Sequence, residues 1–189
     1  MSLLFRNEEE EKAFEAGKDL ALSCGFSEAA LLDCSTIELS DAVRQMCEKN
    51  TCGMYAGNWA CPPGCGSLEE CRSRIGGYRW GILVQTVGEL EDSLDYEGMM
   101  ETEKRHKETF LKAAEMLKRQ YPGLLALGVG CCTICSSCSY PDAPCRFPDK
   151  QISSMESYGI MVSDLCRANG LGYYYGPGKI AYTSCYLLG

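Results

Sequence analysis

The sequence predicts one compact domain over residues 1–189 of the α/β or α+β class, a mixed sheet flanked by helices, with cysteine-rich metal-binding loops. Three observations carry this. Segments with helical hydrophobic spacing alternate with short apolar runs of strand character. At 189 residues, 46% of them hydrophobic, the chain can bury a core without covalent staples. Its 14 cysteines are therefore not substitutes for a core, and most of them gather in two turn-rich stretches.

The elements follow in order. Residues 7–24 read as a helix with Phe14, Leu20, Ala21 and Cys24 near one face. Residues 29–33 read as a short strand and 41–48 as a second helix, with Ser40 as N-cap. From Asn50 to Gly66 the chain is rich in turn residues, including Pro62-Pro63. Ser67-Leu-Glu-Glu70 is a capping box and starts a helix through Ile75. Residues 78–87 suit a buried strand. Residues 100–120 carry the longest helical pattern, with Phe110, Ala113, Ala114, Leu117 and Tyr121 at helical spacing, stopped by Pro122-Gly123. Residues 124–129 read as another buried strand, and the densest cysteine segment, 130–150, follows. Ser153-Ser-Met-Glu156 predicts a second capped helix presenting Met155, Tyr158, Val162 and Leu165, with Gly170 at its C-cap. Residues 173–175, the turn Gly176-Pro-Gly178 and residues 180–188 predict a closing hairpin.

Charge and compartment narrow the function. The net charge is −8 and no Lys/Arg cluster is present, so nucleic-acid binding is not expected. From Glu89 to Glu103 every charged residue is acidic, which reads as a solvated face; docking of a basic partner is the sharper alternative. The start of the chain has no basic, apolar leader, and Glu8 to Glu11 follow at once. No run approaches the ~18 apolar residues of a membrane helix. The expectation is a cytoplasmic protein with reduced thiols rather than a disulfide framework.

The chemistry lies in the cysteines. Cys132-Thr-Ile-Cys135-Ser-Ser-Cys138, followed by Cys145-Arg-Phe-Pro148, lets one loop wrap three thiolates around a face of a cubane and take the fourth from further along. The bacterial ferredoxin run is close to this, although its last gap is shorter. A [4Fe–4S] cluster is the expected cofactor. Zinc, which takes four thiolates in a closed tetrahedral site, is the alternative. Cys131 reads as a packing thiol, with entry into a ligand set as the alternative. Cys47, Cys52, Cys61 and Cys65 form a second group around Cys61-Pro-Pro-Gly-Cys65. They read as ligands of a second cluster or metal ion, or else as buried thiols of a stiff turn. Cys24, Cys34, Cys71, Cys166 and Cys185 read as packing residues. His106, the one histidine, reads as a partly buried packing residue at the edge of its helix's apolar stripe, with a proton donor near a cluster as the alternative.

The leading expectation is an iron–sulfur protein that carries electrons or supports a redox partner protein. A cluster-dependent enzyme is the second: a set with three protein ligands would leave an open iron, and Cys65 is the residue whose loss would open it. A zinc-stabilised binding module is the third. No phosphate-binding loop appears, and one histidine does not assemble a hydrolytic triad.

The words Trp59-Ala-Cys61-Pro-Pro63, Leu125-Ala-Leu-Gly-Val-Gly130 with its cysteine run, Cys145-Arg-Phe-Pro148 and Ser154-Met-Glu-Ser-Tyr-Gly-Ile160 resemble a bacterial and archaeal family of predicted metal-binding proteins of unknown function. The resemblance runs from about Cys47 to the C-terminus and implies metal binding without an activity. The chain departs from it at Cys131, in place of an expected proline, and at Ile152-Ser153, in place of Arg-Pro.

Overall fold

The computed structural model describes residues 4–189. Helix α1, Glu8–Cys24, begins where the Asn7 side-chain oxygen accepts the Glu10 N–H at 2.9 Å. Four glutamates in its first turn suit the positive end of the helix dipole. Strand β1, Glu28–Asp33, leads to helix α2, Asp41–Glu48, which has Ser40 at its N-cap but no side-chain capping bond. Helix α3, Leu68–Ile75, opens on the reciprocal Ser67/Glu70 capping box read from the sequence. Then come strand β2, Trp80–Glu89, helix α4, Tyr96–Gln120, and strand β3, Leu125–Gly128. Strand β4, Ser153–Ser154, helix α5, Val162–Ala168, and strand β5, Lys179–Leu187, complete the chain.

The five strands make one sheet in the order β1-β2-β5-β3-β4. Its neighbours are antiparallel except β3 and β4, which run parallel. Successive residues of a strand face opposite sides, and both sides of this sheet are covered. Helices α1 and α4 bury Phe14, Phe110 and Leu117 against Ile82, Val84 and Tyr186. On the other side, α3, α5 and the segment around Met155–Ile160 bury Cys71, Leu165 and Met155 against Leu83, Leu127, Cys185 and Leu187. Among the described residues no helix is long and apolar enough to cross a membrane. The cysteine-rich loops lie where α2, the β3 exit and β4 meet.

Four sequence expectations are corrected. Helix α4 starts at Tyr96, earlier than its apolar stripe suggested, because the Asp95 carboxylate accepts the Gly98 N–H at 2.8 Å and caps it. The helix predicted from Ser153 is broken. Ser153 and Ser154 are drawn into the ladder beside β3, and a single 3-10 turn, Glu156–Tyr158, ends at Gly159 with φ 82°. A Cβ at Gly159 would stand 2.7 Å from Leu68 Cδ2, so the left-handed turn and the close approach both require glycine there. The closing hairpin does not form: β5 pairs along its length with β2 and at its end with β3, and residues 173–175 join no strand. His106 is fully buried, with Nδ1 2.9 Å from Thr86 Oγ1 and Nε2 2.7 Å from Ser184 Oγ.

Candidate metal centres

The chain leaves β3 through Gly130, whose φ of 61° favours glycine. A Cβ there would meet the Glu103 carboxylate at 3.1 Å and the Lys107 ammonium at 3.2 Å. The loop beyond carries Cys132, Cys135, Cys138 and Cys145, and all four line one pocket, walled by Trp59 and Phe147. This pocket is tight, about 30 Å³. The loop has little apolar anchorage and is held by polar bonds. Ser139 Oγ donates to the Pro144 carbonyl at 2.8 Å, and the Ala143 N–H donates to the Ser139 carbonyl at 2.9 Å. The Trp59 indole N–H donates to the Ala143 carbonyl at 3.0 Å, and the Gln151 amide donates to the Trp59 carbonyl at 2.7 Å. Partial desolvation opposes ionisation of Cys138. It is outweighed by backbone N–H groups of Tyr140, Trp59 and Ser139 and by the Arg146 charge, which hold the thiol below its ordinary value.

The second group sits on a turn built by its own backbone. Asn58 Oδ1 accepts the Ala60 N–H at 2.9 Å, the Cys61 carbonyl accepts the Cys65 N–H at 3.0 Å, and the Pro63 carbonyl accepts the Gly66 N–H at 2.9 Å. The turn also demands Gly64, where a Cβ would lie 2.5 Å from the Asn58 carbonyl oxygen. Cys47, Cys52 and Cys61 line a cavity of about 380 Å³. Cys65 does not line it. The fourth thiol on its wall belongs to Cys131, beside Glu103 and Lys107, which pair at 2.6 Å. Burial pushes the Cys61 thiol up, and the neighbouring Cys131 and Cys52 push it the same way, against hydrogen bonds from Asn58 and Ser157. Cys47 is likewise pushed up by burial and then by Cys52 and Cys61.

Cys65 turns the other way and is 3% exposed. Arg44 Nη1 donates to its sulfur at 3.1 Å and to the Ser157 carbonyl at 2.6 Å, while Arg44 Nη2 donates to the Gly66 carbonyl. The neighbouring Cys71 thiol and the Arg44 guanidinium together outweigh burial and hold the Cys65 thiol below its ordinary value, while Cys71 is pushed up. Cys71, Cys166 and Cys185 are buried packing residues, as read from the sequence; Cys24 and Cys34 are half-buried. Burial raises the Cys34 thiol to about 12.

Thus Cys132, Cys135, Cys138 and Cys145 line one pocket. Cys47, Cys52 and Cys61 line a second, and Cys65 lies apart from it. Cys131 is the residue that spacing alone did not assign. Its signal was the Cys131-Cys132 doublet, whose two members border different thiol groups as well as one pocket in common. Among the described residues, no three Cys, His, Asp or Glu side chains are gathered tightly enough to hold a metal ion as they stand.

Two groups of cysteines lie on polar loops beside a well-packed sheet. The chain belongs to the family described as predicted metal-binding protein (DUF2284), whose model matches residues 30–188. No curated protein and no solved structure matches it.

Proposed function

We propose that this is a cytoplasmic iron–sulfur protein that carries electrons for a redox partner protein, with Cys132, Cys135, Cys138 and Cys145 holding one [4Fe–4S] cluster. The observation that carries the reading is that the four thiols of the CxxCxxC run and its downstream cysteine line one pocket; nearby backbone amides hold the Cys138 thiol below its ordinary value. Amides aimed at sulfur stabilise the negative charge of a thiolate-bound cluster and tune its potential. The cluster supplies one-electron chemistry when bound. The protein's residues hold it, restrict water and set its charge environment. Four protein thiolates leave no open iron, which favours electron transfer over substrate binding. The acidic turn from Glu89 to Glu97 is exposed, apart from half-buried Leu90 and Asp95, and offers a basic partner a docking face.

Zinc is the second reading at this set, and the small pocket, about 30 Å³, favours it. Four thiolates at Zn–S distances of about 2.3 Å need less room than a cubane. Anaerobic purification followed by iron, sulfide and zinc analysis decides. Iron with an equal amount of acid-labile sulfide supports the cluster; stoichiometric zinc without sulfide overturns it.

A further inference from the structure

We infer that Cys47, Cys52, Cys61 and Cys131 hold a second four-iron cluster, so that the Cys131-Cys132 peptide joins two metal centres. This rests on the iron–sulfur reading of the chain and changes the ligand set that spacing suggested, replacing Cys65 by Cys131. Three observations support it.

The first is room. The cavity these four thiols share measures about 380 Å³, far more than a bare ion needs. Its lip is formed by the Asn50–Tyr55 turn, where Asn50 at φ 52° and Gly53 at φ 72° bend the chain so that Cys52 faces inward. Lys107 on the wall is paired with Glu103 at 2.6 Å, and Glu156 lies on the same wall.

The second is the engagement of Cys65. Arg44 is 9% exposed and forms no ion pair with a carboxylate among the described residues. A buried guanidinium needs a compensating partner, and the Cys65 sulfur at 3.1 Å is the group placed to provide it. Recruiting Cys65 as a ligand would pull it from Arg44 and leave that charge uncompensated.

The third is the doublet itself. Consecutive α-carbons are about 3.8 Å apart. Both cysteines border a small pocket beside His106 and Phe110, yet only Cys131 also lines the cavity of Cys47, Cys52 and Cys61, and only Cys132 the pocket of Cys135, Cys138 and Cys145. One loop thus donates to both sets, as a ferredoxin run can lend its last cysteine to the neighbouring cluster.

The test is anaerobic reconstitution of the full chain with ferrous iron and sulfide, reading iron per chain and the electron paramagnetic resonance of the reduced protein. The expected wild-type content is about eight irons, with a spectrum broadened by interaction between two nearby centres. Cys131→Ser and Cys52→Ser should each retain about four irons and lose the broadening. Cys65→Ser should keep about eight. Cys52 is exposed and sits on a different chain segment from Cys131, so its variant reports on the second centre even where Cys131→Ser misfolds. Eight irons in both Cys131→Ser and Cys52→Ser, or four in Cys65→Ser, would overturn the inference. A wild-type content near four that Cys132→Ser abolishes would overturn the second centre while leaving the first standing. Zinc without sulfide in the wild type would overturn both.

Discussion

The indole of Trp59 stands edge-on to the ring of Tyr140, with centroids 4.9 Å apart and planes at 87°. It thereby ties the turn that carries Cys61 to the loop that carries Cys138. Two polar loops gain in this way an aromatic contact that neither backbone supplies. An edge-to-face pair contributes about 0.5–1.5 kcal/mol beyond its buried area, and the Trp59 N–H bond to Ala143 adds to it. Trp59→Ala should lower the unfolding free energy by about 2 kcal/mol. It should also speed the loss of bound metal to a chelator under anaerobic conditions, with Trp59→Phe falling between. Metal release at the wild-type rate from Trp59→Ala would show that the two loops hold their positions independently.

Gly64 is a sharper case of the same dependence. An added Cβ would meet the Asn58 carbonyl oxygen at 2.5 Å, the Trp59 Cα at 3.1 Å and the Tyr140 ring at 3.1 Å. Two of these are backbone atoms and cannot swing aside. Gly64→Ala should therefore destabilise by about 2–4 kcal/mol, the range of a forced core clash, and reduce the metal held by both sets. At Gly77 a Cβ would have nothing within 4 Å, and φ is ordinary. Gly77→Ala should stay within about 0.5 kcal/mol of wild type, as surface changes do. Melting curves of the two variants side by side test the contrast.

Much of this architecture was legible in local chemistry. The Ser67/Glu70 box caps α3 because the bonds that define it lie within four residues. The stripe Phe110, Ala113, Ala114, Leu117 places α4 on the sheet because helical spacing alone brings those side chains to one face. The CxxCxxC run lies within one loop, and its thiols line one pocket with Cys145. What failed depended on partners distant in sequence. The Ser153 box competes with the β3 ladder, where Ser153 pairs with Leu127, and the ladder wins. Strand β5 takes β2 as its partner, with Cys185 opposite Leu83, instead of the nearer tyrosines. Cys65 and Cys131 differ because Arg44, reaching from α2, engages one sulfur and leaves the other to the cavity. No spacing rule contains that contact.

Arg44 should therefore be costly to remove. Its guanidinium donates to the Cys65 sulfur and to the carbonyls of Ser157 and Gly66, and so binds α2, the Cys61–Cys65 turn and the 3-10 turn at Glu156–Tyr158 together. Arg44→Met leaves those acceptors without their donor and should cost about 3 kcal/mol. Arg44→Lys keeps the charge but loses the planar fork, and should recover only part of that loss. Chemical denaturation of the anaerobic protein measures both. A lysine variant as stable as wild type would show that charge alone, without the fork, is what this site requires.

His106 gives the fold a pH dependence of its own. The ring is fully buried between Thr86 and Ser184, with Phe26 at 5.5 Å and Phe110 at 6.2 Å between centroids. Burial, and then the neighbouring Lys107 charge, lower its pKa from 6.5 to about 3. The folded protein therefore keeps this ring neutral across a range in which the unfolded chain protonates it. Above pH 6.5 both states are neutral at this position and it contributes no slope. As pH falls from about 6.5 towards 3, the unfolded state takes up a proton that the folded state refuses, so stability falls. The slope is at most about 1.4 kcal/mol per pH unit. Below about 3 both states are protonated and the loss levels off. His106→Gln keeps a side chain able to bond Thr86 and Ser184 but carries no titrating group. The difference between wild-type and His106→Gln unfolding free energies, measured by urea denaturation from pH 8 to pH 4, should be flat above about 6.5 and then shift steadily against the wild type. Parallel curves over the whole range would show that the buried ring finds a way to accept its proton in place.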